Sequence, residues 1–335
     1  MPLKPSDDWT GKRVVVTGAG GFIGSHLTER LVTLGATTTA FLRYNSRSDP
    51  GLIADCPDDI RTQIRVVWGD LRDPDSVRRA LHQAEVVFHL GALIGIPYSY
   101  EAPRQYVDAN VLGTLNVLEA ARSADVGRLV QTSTSEVYGT PIYTPIDEAH
   151  PLQGQSPYSA SKIGADKLAE SFWRTYGLPV ATIRPFNTYG PRQSARAILP
   201  TIIRQGLKNP EIRLGSLTPV RDMNFVADTV DGFLRIARSD AALGCAVNVG
   251  SGRGLTVGEM VEAVSKVLGR QLKVVGDPAR VRPPASEVKE LIADATLAQR
   301  LFGWRSETTF EDGLKATIDW FAKKGPDLDS TSYTV

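Results

Sequence analysis

The chain has 335 residues, 42% hydrophobic and 22% charged. That is enough for one large α/β unit with an appended smaller lobe, or for two domains sharing an interface. The net charge of +1 argues against a broad electrostatic footprint for nucleic acid or an anionic membrane, and no apolar run reaches bilayer length. The segment MPLKPSDDWTGKR has no apolar signal core, and Cys56 and Cys245 have neither metal-ligand nor redox spacing. A cytoplasmic chain with free buried thiols and no metal is expected.

Residues 12–17, KRVVVT, read as a buried strand, and GAGGFIGSHLTERLVTLG continues with Phe22, Ile23, Leu27, Leu31 and Leu34 at helical spacing until Gly35 ends the helix. A β-prone segment at 36–42, a strand at 63–68, a helix opened by Asp73 and Pro74, and the strand EVVFHL follow. His89, inside that apolar run, reads as a hydrogen-bonded core residue. A long helix is predicted over roughly 101–123, then the strand GRLVQTST, a helix from Ser156 (N-cap) and Pro157 to about Tyr176, and the strand LPVATIRP. Strands alternating with helices at this spacing predict a doubly wound parallel sheet. After about Arg184 glycine and proline become frequent and elements shorten. Helices are predicted at 198–208, MNFVADTVDGFLRIAR and 256–268, with AVNVGS a late strand and the polar tail after Lys324 frayed.

Gly18, Gly21 and Gly24 stand in TGAGGFIG between the first strand and the first helix. Glycine permits a tight turn and close approach of backbone to a pyrophosphate, and the helix N-terminus offers free N–H groups and a positive dipole end. Where an acidic residue would grip the adenosine ribose, about 20 positions on, this chain has Arg43, with Ser46 and Arg47 nearby. Arg43 suits a 2′-phosphate and favours NADP over NAD. An exposed arginine beside NAD held by other contacts is the alternative. Asp70 and Leu71, after the third strand, fall near the adenine.

Tyr158 and Lys162, in SPYSASK, lie four apart and share a helix face. An ammonium beside a phenol favours the phenolate and brings a group that titrates near about 10 toward useful proton transfer. Thr134, Ser135 and Glu136, in TSTSEVYG, add a carboxylate as a second proton-transfer group. One base supports oxidation of an alcohol; two suggest a further step on the oxidised product.

Over nearly its whole length the chain resembles the extended short-chain dehydrogenase/reductase family, through TGAGGFIG, GDLRD, HLGA, NVLGTLNVLEAA, TSTSEVYG, YSASK, RPFNTYGP and RDMNFV. The resemblance implies a Rossmann part at 1–184 plus about 224–250, a smaller C-terminal α/β lobe at 185–223 and 251–325 for a nucleotide sugar, and a tail at 326–335. It also implies a homodimer through the helices at about 101–123 and 156–176. Among the members, sugar-nucleotide 4,6-dehydratases carry Thr followed by Asp-Glu or Ser-Glu before VYG, and the chain resembles them there. The Ser-Glu form is similar to GDP-mannose 4,6-dehydratases and to dehydratases acting on N-acetylglucosamine nucleotides in legionaminic-acid-type pathways. Ser135 departs from the dTDP-glucose enzymes, which carry Asp there.

The implied reaction oxidises C4, with Tyr158 as base, Lys162 on the nicotinamide ribose and Thr134 on O4. Glu136 then removes the C5 proton, water leaves C6, and hydride returns to C6. Beside the glycine turn, Leu90, Ala92, Asn110 and Pro185 are implied to line NAD(P). For Asn110, a role orienting backbone near Lys162 through water and a plain polar helix position both stand. Asn187, Leu199, Arg221 and Arg282 are implied to hold the nucleotide sugar; Tyr98 either faces the sugar or packs in the core. UDP-glucuronate decarboxylases share the triplet, and C4-epimerases share all but the glutamate. A non-catalytic NAD(P)-sensing scaffold is the remaining alternative.

Overall fold

The computed structural model describes residues 8–280 and 285–325. Arg282 and the tail 326–335 lie outside the described residues. Six strands alternate with helices through the first half: β1 (Arg13–Thr17), β2 (Thr37–Arg43), β3 (Arg65–Gly69), β4 (Val86–His89), β5 (Arg128–Thr132) and β6 (Val180–Pro185). They pair in parallel, in the order 3-2-1-4-5-6, and a later strand, Ala246–Val249, extends the sheet to seven beside β6. The order reverses between β1 and β4, which opens a crevice at their carboxyl ends.

Helices cover both faces because the strands are apolar on both. Val14, Val16, Ala40 and Phe88 face a core with Leu27 and Leu31 of α1 (Phe22–Thr33), Phe233 and Trp304. Val15, Phe41, Val87 and Leu129 face Val77, Leu81, Val117, Leu118 and Phe172. The expected doubly wound α/β fold is the one found. Asp73 caps the helix Pro74–Leu81 by accepting from the Asp75 and Ser76 amides, a device that contributes about 1 kcal/mol. Ser156 and Ser159 form a reciprocal cap on α2 (Pro157–Tyr176), with Pro157 in its first turn.

Two expected elements differ. The helix at about 101–123 starts at Pro103, because a residue before proline avoids helical backbone and Ala102 sits at φ −128°. It then widens into a π-helical stretch, Val107–Leu112, before α-helix resumes at Gly113–Ser123. Met223, Asn224 and Phe225 are strand, not helix: they end Val220–Phe225, which pairs with Asn187–Tyr189, and the helix begins at Val226. That strand also pairs with Gly254–Thr256 and Glu290–Leu291, and Glu211–Leu214 pairs with Lys273–Gly276. These smaller sheets enclose a separate core of Leu199, Ile202, Ile203, Met260, Val264 and Leu314. Both cysteines are free; Cys56 is buried but Cys245 is only half-buried, because it precedes an edge strand. Among the described residues no helix is long and apolar enough to cross a membrane.

Candidate active site

The turn after β1 lies at the switch point. Gly18 has φ +70°, and a Cβ there would stand 2.7 Å from the Gly91 amide, in the loop after β4. A Cβ on Gly24 would stand 2.2 Å from the Gly18 carbonyl oxygen, and one on Gly21 3.2 Å from it. The first turn of α1, with Phe22 and Ile23, has no side-chain cap and no acidic residue. A close-packed glycine cradle under uncapped helix N–H groups fits a pyrophosphate, so the residues present fit a dinucleotide. Leu71 packs against Gly91 and Gly113, and Leu90 and Ala92 flank Gly91, all half-buried. Pro185 is buried at the end of β6.

Arg43, the last residue of β2, and Ser46 are exposed, at the start of a loop that Asn45 ties together by accepting from the Arg47 and Asp49 amides. Asp70 is held by Arg72, at 2.6 and 3.0 Å, which keeps its carboxyl below the usual range.

Thr134 follows β5 and caps a 3₁₀ turn, Ser135–Tyr138, accepting from the Glu136 amide at 3.2 Å. Its hydroxyl is also a hydrogen-bond partner of the Tyr158 phenol. Tyr158 and Lys162 are both buried. Burial pushes the phenol up, Thr134 opposes this, and the charge of the nearby Glu136 carboxylate adds to the rise. Burial pushes the Lys162 ammonium down to about 8, against the charge of Asp166. Lys162 donates to the Thr132 carbonyl at 2.6 Å. The expectation that Lys162 would draw the phenol downward is therefore outweighed in the protein alone, since desolvation disfavours the charged form of both groups. Ser135 is buried and Glu136 half-buried.

Asn110, from the π-helical stretch, is buried, and its carboxamide both accepts from the Leu93 amide (2.8 Å) and donates to the Leu93 carbonyl (2.9 Å) and Ser161 Oγ (2.9 Å). It thus ties the loop after β4 to the helix that bears Tyr158 and Lys162. Tyr98 is half-buried, donates to Gln105 Oε1 at 3.2 Å and packs on Tyr106, whose ring meets Tyr158 edge-on. Asn187 has a buried side-chain nitrogen with no hydrogen-bond partner. Arg221 donates to Glu287 at 3.0 Å, and Leu199 lies fully inside the second core.

Sequence reading passed over a buried polar network under this site. Asp166 Oδ2 accepts from Ser133 (2.7 Å) and from Arg184 (3.1 and 3.2 Å), Arg184 donates to the Tyr138 hydroxyl (2.9 Å), and Tyr138 donates to Asn248 (2.7 Å). The signal was present: Asp166 extends the Tyr158–Lys162 face by another four residues. His89 bridges Thr17 (2.7 Å) and Thr114 (3.1 Å) inside the core, as expected of it. A cavity of about 390 Å³ runs along β6 and the edge strand beneath residues 148–152, lined by none of the candidate catalytic or ligand-binding residues read from the sequence. The chemistry is assigned to the crevice at the switch point instead. Among the described residues no cluster of three or more His, Cys, Asp or Glu is arranged to hold a metal ion.

A glycine turn at the switch point and a buried tyrosine–lysine pair beside a Thr-Ser-Glu turn define a dinucleotide-dependent enzyme of the short-chain dehydrogenase/reductase type. The chain belongs to the extended branch of that family, and residues 15–317 match the family model described as GDP-mannose 4,6 dehydratase. It is 33% identical over 313 residues to a dTDP-glucose 4,6-dehydratase from Streptomyces antibioticus, covering 92% of each chain. To a UDP-glucose 4-epimerase from Mycolicibacterium smegmatis it is 32% identical over 321 residues, covering 93% of this chain and 99% of that one. The crystal structure of a dTDP-glucose 4,6-dehydratase from Streptomyces venezuelae, with NAD bound, superposes with a TM-score of 0.83 at 30% identity, covering 93% of this chain and 97% of that one.

Proposed function

We propose that the chain is a nucleotide-sugar 4,6-dehydratase that converts a nucleoside-diphosphate hexose, UDP- or GDP-N-acetylglucosamine, to its 4-keto-6-deoxy derivative. The observation that carries this reading is the Glu136 carboxylate, close enough to the Tyr158 phenol to oppose its ionisation. Tyr158 takes the proton from O4, and Thr134 hydrogen-bonds that oxygen. The bound nicotinamide supplies hydride transfer from C4 and back to C6, with no net consumption. Glu136 removes the C5 proton, acidified by the C4 ketone, and protonates the departing C6 hydroxyl, a task for which Ser135 offers no carboxyl group; as hydride returns to C6, a proton returns to C5. Lys162 holds the nicotinamide ribose. Asn187, with its unpartnered buried nitrogen, Arg221, Arg282 and Tyr98 hold the nucleotide sugar, while Leu199, sealed in the second core, supports them from behind.

In this reading 1–184 with about 224–250 binds the dinucleotide, and 185–223 with 251–325 binds the sugar nucleotide. Arg43 favours NADP; the NAD bound in the Streptomyces venezuelae relative is the competing observation. Exposed Val107 and Leu112 on the outer side of the helical segment 103–123 support pairing with a second copy through that segment and α2.

A C4-epimerase reading is favoured by the Mycolicibacterium relative; it needs Tyr158, Lys162 and Thr134 but no C5 base. A panel of nucleotide sugars followed by mass spectrometry separates the two: loss of one water supports the dehydratase, an unchanged mass with inverted C4 the epimerase. Glu136→Gln is expected to slow water loss by about a hundredfold or more while sparing hydride exchange at C4. Unchanged dehydration in that variant refutes the assigned role.

A further inference from the structure

Arg192 lies in none of the roles above, yet it is held on several sides. It is buried, and its backbone sits at φ +66°, a region that favours glycine and that bulky residues occupy only when the surroundings enforce it. The guanidinium donates to Glu29 Oε2 of α1 at 2.5 Å and to the Asp55 carbonyl at 3.3 Å, and approaches the Cys56 sulfur at 3.7 Å. Next to it, the Pro191 carbonyl meets His26 Nε2 of α1 at 2.9 Å. Asp55 ends the 3₁₀ turn Gly51–Asp55. The second residue of that turn, Leu52, donates its amide to the Gly20 carbonyl at 2.9 Å, in the middle of the glycine turn. The packing there is tight: a Cβ on Gly51 would stand 2.6 Å from the Gly20 oxygen. Lys324, at the far end of the chain, pairs with the Asp55 carboxylate from the other side.

The opposite end of the connection points at the sugar-nucleotide side. Only four residues separate Arg192 from Asn187, whose side-chain nitrogen is buried without a partner; Gln193 Oε1 is likewise buried and unpartnered, while its nitrogen donates to the Thr188 carbonyl at 2.8 Å. A ligand that engages Asn187 therefore meets a strand, Asn187–Tyr189, that within a few residues runs into Arg192, locked to α1 and to the turn that lies on Gly20.

We propose that Arg192 is a coupling latch, a positioning residue that makes the grip of the glycine turn on its dinucleotide depend on occupancy of the nucleoside-diphosphate side of the crevice. The inference rests on the glycine turn holding a dinucleotide and Asn187 meeting the second ligand; it does not depend on which reaction follows. Its value to the molecule is retention: a cofactor that is reduced and reoxidised within one turnover must not leave while substrate is bound. The thiol of Cys56, which burial pushes up to about 11, stays protonated and serves the latch as packing.

The test is a linkage measurement with no turnover in it. NADH binding to dinucleotide-free full-length protein is titrated by fluorescence, alone and with excess UDP, GDP or dTDP. In the wild type, the diphosphate that binds is expected to tighten NADH about tenfold, within the usual range of site–site coupling. Arg192→Met is expected to reduce that factor to below about twofold, and Arg192→Lys to restore part of it. A merely structural role would weaken both ligands and leave the factor unchanged, and a folded Arg192→Met protein with the wild-type factor overturns the proposal. So does a wild type whose NADH affinity shifts less than twofold with a bound diphosphate. Should Arg192→Met fail to fold, Lys324→Met removes the exposed half of the clamp. It is expected to lower the factor severalfold, and an unaltered factor there also overturns the latch. Absence of any NADH or diphosphate binding to folded wild type would sink the ligand sites themselves, a result distinct from intact binding without coupling.

Discussion

Lys162→Met is expected to make the dinucleotide-free protein no less stable at neutral pH while abolishing turnover. Lys162 is 4% exposed, and burial lowers its ammonium from the ordinary 10.5 to about 8. That difference corresponds to about 3 kcal/mol. Because the folded value is depressed, the unfolded chain holds the proton more tightly. The cost is therefore full below about pH 8, fades between about 8 and 10.5, and is gone above. Methionine removes the cost but also the bond to the Thr132 carbonyl, and an unpaired buried acceptor costs about 1–3 kcal/mol. The net effect at pH 7 runs from near zero to about 2 kcal/mol in favour of the variant. The pH dependence does not rely on the size of that bond: between pH 7 and 9.5 the wild type should gain about 2 kcal/mol relative to the variant. Urea unfolding followed by circular dichroism at both pH values measures this. A stability difference that does not change with pH, or that moves in the variant's favour as pH rises, refutes the reasoning. A gain of the expected size would show a buried ammonium kept at a cost in stability.

Three further outcomes follow from the same physics. His89 is pushed down to about 3 by burial, with the Lys162 charge adding to it, so stability should fall as pH drops below 6.5. Wild type should lose about 2 kcal/mol more than His89→Gln between pH 7 and 5, and parallel curves in urea would contradict this. Asp166→Asn leaves the Arg184 guanidinium buried without its counter-charge and should destabilise by about 3–5 kcal/mol; a loss under about 1 kcal/mol by denaturant midpoint would show that the pair matters little. Arg43→Ala should weaken NADP about tenfold more than NAD if the side chain meets a 2′-phosphate; equal changes in the two titrations would remove the NADP preference.

Much of the fold was legible because its signals are local. Glycine spacing between a strand and a helix, Pro157 behind a serine cap and the period-3.6 apolar stripe of α1 each act within one turn or one helix, so neighbours in sequence suffice to read them. The π-helical stretch was not legible, since nothing in VDANVL departs from ordinary helix composition; it is tied to tertiary bonds such as those of Asn110 to Leu93 and Ser161. Nor was the strand character of Met223–Phe225, which exists because Asn187–Tyr189 lies alongside.

Residue types and their spacing by themselves pointed to the doubly wound sheet, the glycine turn and the helix face shared by Tyr158 and Lys162, because each rests on patterns within one element or between neighbouring ones. Only the tertiary structure decided the electrostatics of the Tyr158–Lys162–Glu136 constellation and its connections. Desolvation depends on everything packed around a group, so the upward push on Tyr158 and the lowering of Lys162 appear only when the chain is closed. Contacts between distant segments behave likewise: Arg192 reaches Glu29 across 163 positions, a separation over which no sequence pattern carries information.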